Sequence, residues 1–446
     1  GRCLTIIDTE GNLKALKALL PLYAGKVKCI YIDPPYNTGN EGWKYNDNVN
    51  SPMMQDWLNK VVDREDLTRH DKWLCMMTPR LKLLRELLTE DGVILVSVDD
   101  NEVHRLRCLM DELFGEDRLL AQFVWKSRVS EDTRAKSGIS NDHEYVLAYS
   151  KNDLVRFEGV EKAGEKFENP DNDKRGPWRS ADMTGLATKE QRPNLHYDLI
   201  HPATRINYGC PPKGWRYDPD RMKKLIADKR VLWPKGKDGR PRLKLFEGET
   251  RKTKNISSVV QQPSTQDGTK EVNLILGDGV FSFPKPSTFI ALLMSQVAGP
   301  GDIVLDSFAG SGSTGHAVLT LNANDGGDRR FILIECEDYA DTITAERVRR
   351  VIKGVPTSKN DALKKGLGGS FSFFKLGKAI ELEGILDGDS LPTYEELARY
   401  VFYTATGEEF NDKAVNEKRH FIGESKNYQV FLFYEPDIAK LKNLAL

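Results

Sequence analysis

Short, nearly unbroken apolar runs, the first of them cut off by two prolines, narrow the possible fold more than any other feature of this chain. Residues 27–32 (VKCIYI), 93–98 (VILVSV), 303–305 (IVL) and 331–334 (FILI) are too short for helices. Such runs suit strands buried on both faces, as in a parallel sheet. Helical spacing fills the gaps. Leu13, Leu16 and Leu20 mark a short helix over 12–20. Leu74, Met77, Leu81, Leu84 and Leu88 mark a long one over 68–89, stopped by Asp91-Gly92. Residues 102–114, 288–297, 313–321 and 339–352 also read as helices, and 123–125 and 145–149 as strands. Strands alternating with helices imply a Rossmann-like, doubly wound α/β fold with a mostly parallel sheet, whose ligands lie beyond the strands' carboxyl ends.

The pattern is interrupted. From about 151 to 270, Asn, Asp, Pro, Gly, Lys and Arg dominate, so this stretch is expected to form a separate, loop-rich module. Residues 1–150 and 271–357 then supply two parts of one sheet domain, and a linker at 366–369 leads into a small α+β region within 358–446. The chain's net charge is -1, yet residues 201–260 hold 16 Lys and Arg against 6 Asp and Glu. A local basic patch on a neutral protein points to a polyanion surface, with a merely solvated face as the plainer reading. Its candidates are Arg221, Lys223, Lys224, Lys229, Arg230, Lys235, Lys237, Arg240, Arg242 and Lys244, then Arg251, Lys252 and Lys254. Trp215 and Trp233 read as module core rather than stacking platforms. Residues 381–446 are acidic, at about -6.

No apolar run of about 18 residues exists, so no bilayer span is expected. The start, Gly1-Arg2-Cys3-Leu4, lacks a signal-peptide pattern, and a first residue other than Met suggests a trimmed fragment. The six cysteines lie at least 26 positions apart, which fits a reducing cytoplasm better than a disulfide scaffold or a thiolate metal site. His143 has no second ligand at metal spacing and reads as structural, and His316 reads as packed or solvated rather than catalytic.

Two motifs stand at strand ends. The first runs from Asp306 through Phe308, Gly310, Gly312 and Thr314 to Gly315 and is a strand, a glycine turn and a helix start. Residues 310–315 match GxGxxG, and Glu335 lies at the end of the next strand, the arrangement in which an acid binds ribose hydroxyls. No Lys follows the glycines, so a phosphate-binding P-loop is excluded. NAD and S-adenosylmethionine both remain candidates. A carboxylate at Asp306 disfavours a pyrophosphate and suits an ammonium or sulfonium ligand.

The second motif is Asp33-Pro34-Pro35-Tyr36. The prolines fix the backbone, so the Asp33 carboxylate and the Pro34 carbonyl become rigid acceptors beside the flat Tyr36 ring. Two acceptors over an aromatic plane suit an exocyclic amine on a stacked base. Hydrogen bonds from that amine favour a pyramidal nitrogen and stabilise positive charge developing on it, worth a few kcal/mol per well-placed partner.

Asp33-Pro34-Pro35-Tyr36 followed by Asn37-Thr38-Gly39-Asn40, with Asp306-Ser307-Phe308-Ala309-Gly310 downstream, resembles the amino-methylating DNA methyltransferases. The catalytic motif preceding the cofactor motif, with an insertion between, is the β-class order, and the DPPY form is associated with N6-adenine. Asp142-His143-Glu144-Tyr145, Phe283-Pro284-Lys285-Pro286-Ser287 and 331–335 (FILIE) extend the likeness to modification subunits of type III restriction–modification systems. The resemblance implies a class I S-adenosylmethionine-dependent methyltransferase fold, with Asp33, Pro34, Pro35 and Tyr36 around a flipped adenine. Asp306, Phe308, Gly310, Gly312 and Thr314 would line the cofactor site, Glu335 would take the ribose, and Lys285, Pro286 and Ser287 would approach the methionine part. It also implies double-stranded DNA as partner, a homodimer, a restriction subunit as a further partner, and a bacterial or phage origin at the nucleoid. Residues 10–13 (EGNL) depart from the family's usual GDNL. N4-cytosine methylation, an NAD-dependent oxidoreductase and a catalytically idle DNA-binding partner are the alternatives.

Overall fold

The computed structural model describes residues 2–7, 11–38, 68–133, 137–152, 155–162, 164, 166–251, 253–376, 391–408, 410–426, 428–434 and 437. Glu10, Gly39, Asn40 and Lys252 lie outside them. The first strands are β1 (Arg2–Ile7), β2 (Val27–Ile32), β3 (Leu88–Val98), β4 (Leu119–Trp125) and β5 (Glu144–Ser150). The insertion contributes β6 (Val160–Glu161), β7 (Trp178–Ala181), β8 (Val231–Leu232), β9 (Arg242–Phe246) and β10 (Thr253–Lys254). Then come β11 (Val259–Val260), β12 (Ile303–Asp306), β13 (Arg330–Glu335), β14 (Ser370–Lys375), β15 (Phe421–Glu424) and β16 (Gln429–Phe431).

Among the described residues, one sheet has nine strands in the order β11-β4-β5-β3-β2-β12-β13-β1-β14. Every neighbouring pair is parallel except the two made by β5. The expected mostly parallel, doubly wound sheet is therefore present. From β2 the chain passes through helix Arg69–Leu87 to β3 on one side. From β12 it passes through helix Ser313–Asp325 to β13 on the other. The winding thus reverses between β2 and β12, which pair directly through Cys29 with Val304 and Ile30 with Leu305. Ligands of such sheets bind in the crevice at that reversal.

The apolar runs are strands because both their faces are covered. Ile30, Ile32, Ile94, Val96, Leu305, Ile332 and Ile334 share one core with Leu16 and Leu19 of helix Asn12–Tyr23 and Trp73, Met77, Leu81 and Leu84 of helix Arg69–Leu87. Each such side chain contributes roughly 1.5–3 kcal/mol by leaving water.

Three features differ from expectation. The long helix ends at Leu87 and β3 begins at Leu88, with Asp91-Gly92 inside the strand and a register shift opposite. A Cβ on Gly92 would lie 2.9 Å from the Thr89 carbonyl oxygen, so this doubling-back requires glycine. Both β1 and β14 add to the sheet, and the start of the tail thereby becomes an edge strand. β11 forms the other edge against β4.

Helix Tyr394–Thr406, opened by a Thr393–Glu396 capping box, packs with the β15–β16 pair around Tyr394, Phe402, Phe410 and Ile422. No described helix is long and apolar enough to cross a membrane.

Residues 159–256 fold as a second compact unit, narrower than the polar stretch of the sequence, because 257–270 supply β11 and the start of helix Thr265–Leu276. This unit has an antiparallel β7-β9-β8 sheet and a helix, Pro219–Ala227, whose first amides are capped by Asp218. Trp215 is buried with Met183, Met222, Leu225 and Leu243, and Trp233 packs against them, so both are core as expected.

Candidate active site

Because β2 lies beside β12, the loops leaving their carboxyl ends share one crevice, although Asp33 and Asp306 are far apart in the chain. A cavity of about 610 Å³ opens there. Asp33 and Pro35 line it from one loop, and Asp306, Phe308, Gly310 and Thr314 from the other. Lys285, Glu335, Asn12 and Tyr31 complete the part that matters chemically.

The Asp33 loop is tied down at several points. The Trp73 indole N–H donates to the Pro35 carbonyl at 2.7 Å. Asn37 takes a left-handed φ of 61°, and its amide donates to the buried Glu102 carboxylate at 2.5 Å and to the Arg69 carbonyl at 3.2 Å. His70 bonds the same Glu102 oxygen.

Asp33 does not stand alone. The Tyr36 hydroxyl lies 2.7 Å from Asp33 Oδ1 and 3.0 Å from Glu144 Oε2. Lys285 Nζ donates to both Asp33 oxygens at 2.9 Å and to the Tyr36 hydroxyl at 2.7 Å, and lies 3.2 Å from Glu144. It also sits 4.8 Å from the Tyr36 ring centroid and 5.8 Å from that of Trp125. Burial pulls the Lys285 ammonium down, but Asp33 and Glu144 outweigh it and hold its pKa above the ordinary lysine range. Burial, then the same two carboxylates, pushes the Tyr36 phenol well up.

The glycine turn is built on two buried carboxylates. Asp306 accepts from the Phe308 amide at 2.9 Å and the Thr314 hydroxyl at 2.5 Å. Burial pushes its carboxyl up to about 7 against those bonds. Glu335 accepts from the Gly310 amide at 2.6 Å and from the Cys336 amide at 2.9 Å, and burial pushes it up to about 7 as well. Gly310 has φ 52°, and a Cβ there would stand 3.4 Å from the Phe281 ring. Gly312 serves packing instead: a Cβ would lie 2.9 Å from the Thr344 carbonyl oxygen. Asn12 reaches across to the Ser307 carbonyl at 2.8 Å and is itself held by Arg80 at 2.6 Å. That contact gives residues 11 and 12 a place at the cavity despite their departure from the family pattern.

The segment carrying Lys285 is also held rigidly. The Ser313 hydroxyl donates to the Lys285 carbonyl at 2.7 Å. The Ser287 amide and hydroxyl donate to Glu271 at 3.0 and 2.5 Å, so Ser287 faces away from the cavity. Glu271 accepts from the fully buried Arg347 at 2.8 Å, and Arg347 donates to the Ser311 and Ser313 hydroxyls, each at 2.8 Å. His316 closes this network, and burial pushes its imidazole down to about 4, so of the two expected settings it takes the packed one. His143 bonds Tyr145 at 2.8 Å. The partners of Lys285 and the roles of Glu144, Glu271 and Arg347 are not evident from local sequence, since no spacing rule links them.

In the inserted unit the basic residues divide. Arg221, Lys223, Lys224, Lys235, Lys237, Arg240 and Arg242 are exposed. Arg242 bonds Ser180, and Lys223 pairs with Asp220. Arg230 pairs with Glu249 over the Phe246 ring, and Lys244 is buried against Asp171 and Asp173. Lys244 belongs to the unit's interior, and Arg230 is half-buried as the cation of an internal pair.

The sequence model of a family described as DNA methylase matches residues 27–346. The chain is 31% identical over 388 residues to the type III restriction-modification enzyme StyLTI Mod subunit of Salmonella typhimurium, covering 81% of this chain and 58% of that one. It is 32% identical over 413 residues to the EcoPI Mod subunit of Escherichia phage P1, covering 80% and 63%. It is also 32% identical over 343 residues to the type II methyltransferase M.KpnI of Klebsiella pneumoniae, covering 73% and 78%. The chain spans about three fifths of the length of the type III subunits it matches.

Proposed function

The chain belongs to this DNA methylase family, and from that premise we propose that it is a site-specific DNA methyltransferase acting on N6 of an adenine extruded from duplex DNA, with S-adenosylmethionine as donor. The observation that carries this reading is the β2–β12 pairing, which brings the Asp33 loop and the glycine turn to one cavity.

The cavity suits the donor. About 610 Å³ is within the range of small-molecule sites. The buried carboxylates of Asp306 and Glu335 suit cationic and hydroxyl groups and oppose a pyrophosphate. Asp306, Phe308, Gly310, Thr314 and Glu335 would hold it, with Gly312, Pro286 and Ser287 supporting the wall. Once bound, it supplies an electrophilic methyl on a sulfonium.

The chain's own residues do the rest. The Asp33 carboxylate and Pro34 carbonyl accept the two amine N–H groups, and the Tyr36 ring lies against the base. They favour a pyramidal nitrogen and stabilise its growing positive charge. Holding the amine beside the donor supplies most of the remaining acceleration. Extruding the base costs a few kcal/mol, which ring stacking and phosphate contacts offset. Exposed Arg221, Lys224, Lys235, Lys237 and Arg240 bind phosphates. The protein works on nucleoid DNA in the cytoplasm, as a homodimer, with a restriction subunit as a further partner.

Sequencing of modified bases in DNA from cells expressing the chain, beside an Asp33→Ala control, tests the reading. N6-methyladenine at a fixed site only with the native chain is expected. N4-methylcytosine would move the target to cytosine, and no methylated base would refute the proposal.

A further inference from the structure

We propose that Lys285 and Glu144 are positioning residues for Asp33, leaving one acceptor site of its carboxylate open to the target amine. This rests on the reading of Asp33 given above. A carboxylate offers about four lone-pair directions, two on each oxygen. Lys285 Nζ, at 2.9 Å from each oxygen, engages one on each, and the Tyr36 hydroxyl at 2.7 Å engages the second on Oδ1. Among the described residues one direction remains, on Oδ2. The carboxylate therefore cannot rotate freely between alternative contacts, and the amine meets a single fixed acceptor beside the Pro34 carbonyl.

Glu144 holds the arrangement from the other side, 3.2 Å from Nζ and 3.0 Å from the Tyr36 hydroxyl oxygen. The backbone beneath Lys285 is equally constrained. Ser313 bonds its carbonyl, and Gly268 packs so tightly that a Cβ would come within 2.2 Å of the Pro284 carbonyl oxygen. The Tyr36 and Trp125 rings favour the ammonium form. The charges matter as much as the geometry. One ammonium between two carboxylates leaves a single net negative charge, matched to a nitrogen that becomes positive during transfer. Without the ammonium, two carboxylates would share one hydroxyl, and like charges so placed favour taking up a proton. Tyr31 and Asp306 complete the titratable groups that face Asp33.

The test is tritiated methyl transfer from S-adenosylmethionine to unmethylated phage DNA by the native chain and by Lys285→Met, Lys285→Arg and Glu144→Gln. Lys285→Met should lower kcat by about 30-fold or more, with the KM for DNA and the cofactor affinity within about threefold. The acid limb of its pH–rate profile should also move upward. Lys285→Arg should recover part of the rate, and Glu144→Gln should lower kcat by about 5- to 10-fold. An unchanged kcat in Lys285→Met overturns the proposal, and a loss confined to cofactor affinity overturns it and assigns the lysine to the donor. If Lys285→Met does not fold, Glu144→Gln decides, and an unchanged kcat there overturns it. A native chain without activity, or an active Asp33→Ala variant, refutes the functional reading instead.

Discussion

Lys285 and Lys244 are buried to the same degree, with side chains 9% exposed, and each sits between two carboxylates and over an aromatic ring. Lys285 has Asp33, Glu144 and the Tyr36 ring at 4.8 Å; Lys244 has Asp171, Asp173 and the Trp178 ring at 4.9 Å. Their settings differ. Lys285 lines the cavity at the carboxyl ends of parallel strands. Lys244 lies in β9 of a small antiparallel sheet, and its carboxylates belong to a turn also held by Arg175. Lys244 holds Asp171 below the usual range, and Arg175 does the same for Asp173. The composition of a charged cluster therefore says little about function. Its place relative to the sheet's winding reversal says much more.

The largest expected effect is at Asp33. Asp33→Ala should reduce methyl transfer by at least about 10³-fold while leaving the melting temperature nearly unchanged. A variant that keeps its rate would remove the distinction between the two clusters.

Next is the response of the donor-free protein to pH. Asp306 and Glu335 titrate near 7 in the folded chain, above their ordinary 3.8 and 4.5. The folded state then binds more protons than the unfolded one between about 4 and 7, so stability falls as pH rises through that window. Asp306 alone accounts for up to about 4 kcal/mol. Asp306→Asn should flatten the fall in melting temperature between about pH 4 and 7 and weaken cofactor binding in calorimetry. A slope equal to that of the native chain would show that this carboxylate is not the source.

Lys244→Met should lower the melting temperature and speed proteolysis within 159–256, yet leave kcat at saturating DNA unchanged. A kcat loss matching that of Lys285→Met would make the two clusters functionally alike. The smallest effect is expected from exchanging Lys235, Lys237 and Arg240 for Ala. Stability should not change, and the dependence of log K for DNA on log salt should shallow by about 0.9 per lost phosphate contact. An unaltered slope would mean that this surface does not touch the polyanion.

What the sequence revealed follows from how local each signal is. Strands β2, β12 and β13 were legible because an apolar run and its Pro or Gly terminator lie within a dozen residues. β1, β11 and β14 were not, since each is a strand only by pairing with a distant neighbour, as Arg2 does with Ser370. That Asp33 and Asp306 come to one cavity was legible from their motifs at neighbouring strand ends. The ammonium that bonds Asp33 was not, because Lys285 meets it across 252 positions. Arg347 and Glu271 likewise gave no signal, since a buried ion pair between two helices has no sequence period. Lys244 looked like its exposed neighbours because composition cannot distinguish inward from outward positions on a short strand.

Because the two loops leave neighbouring strands paired through Cys29 with Val304 and Ile30 with Leu305, the order in which the chain delivers those strands is immaterial to the chemistry. A circularly permuted chain, opened between β5 and β11, would still present an acceptor beside a glycine turn. The same independence leaves the compact unit at 159–256 free to vary while the β2–β12 pairing stays untouched.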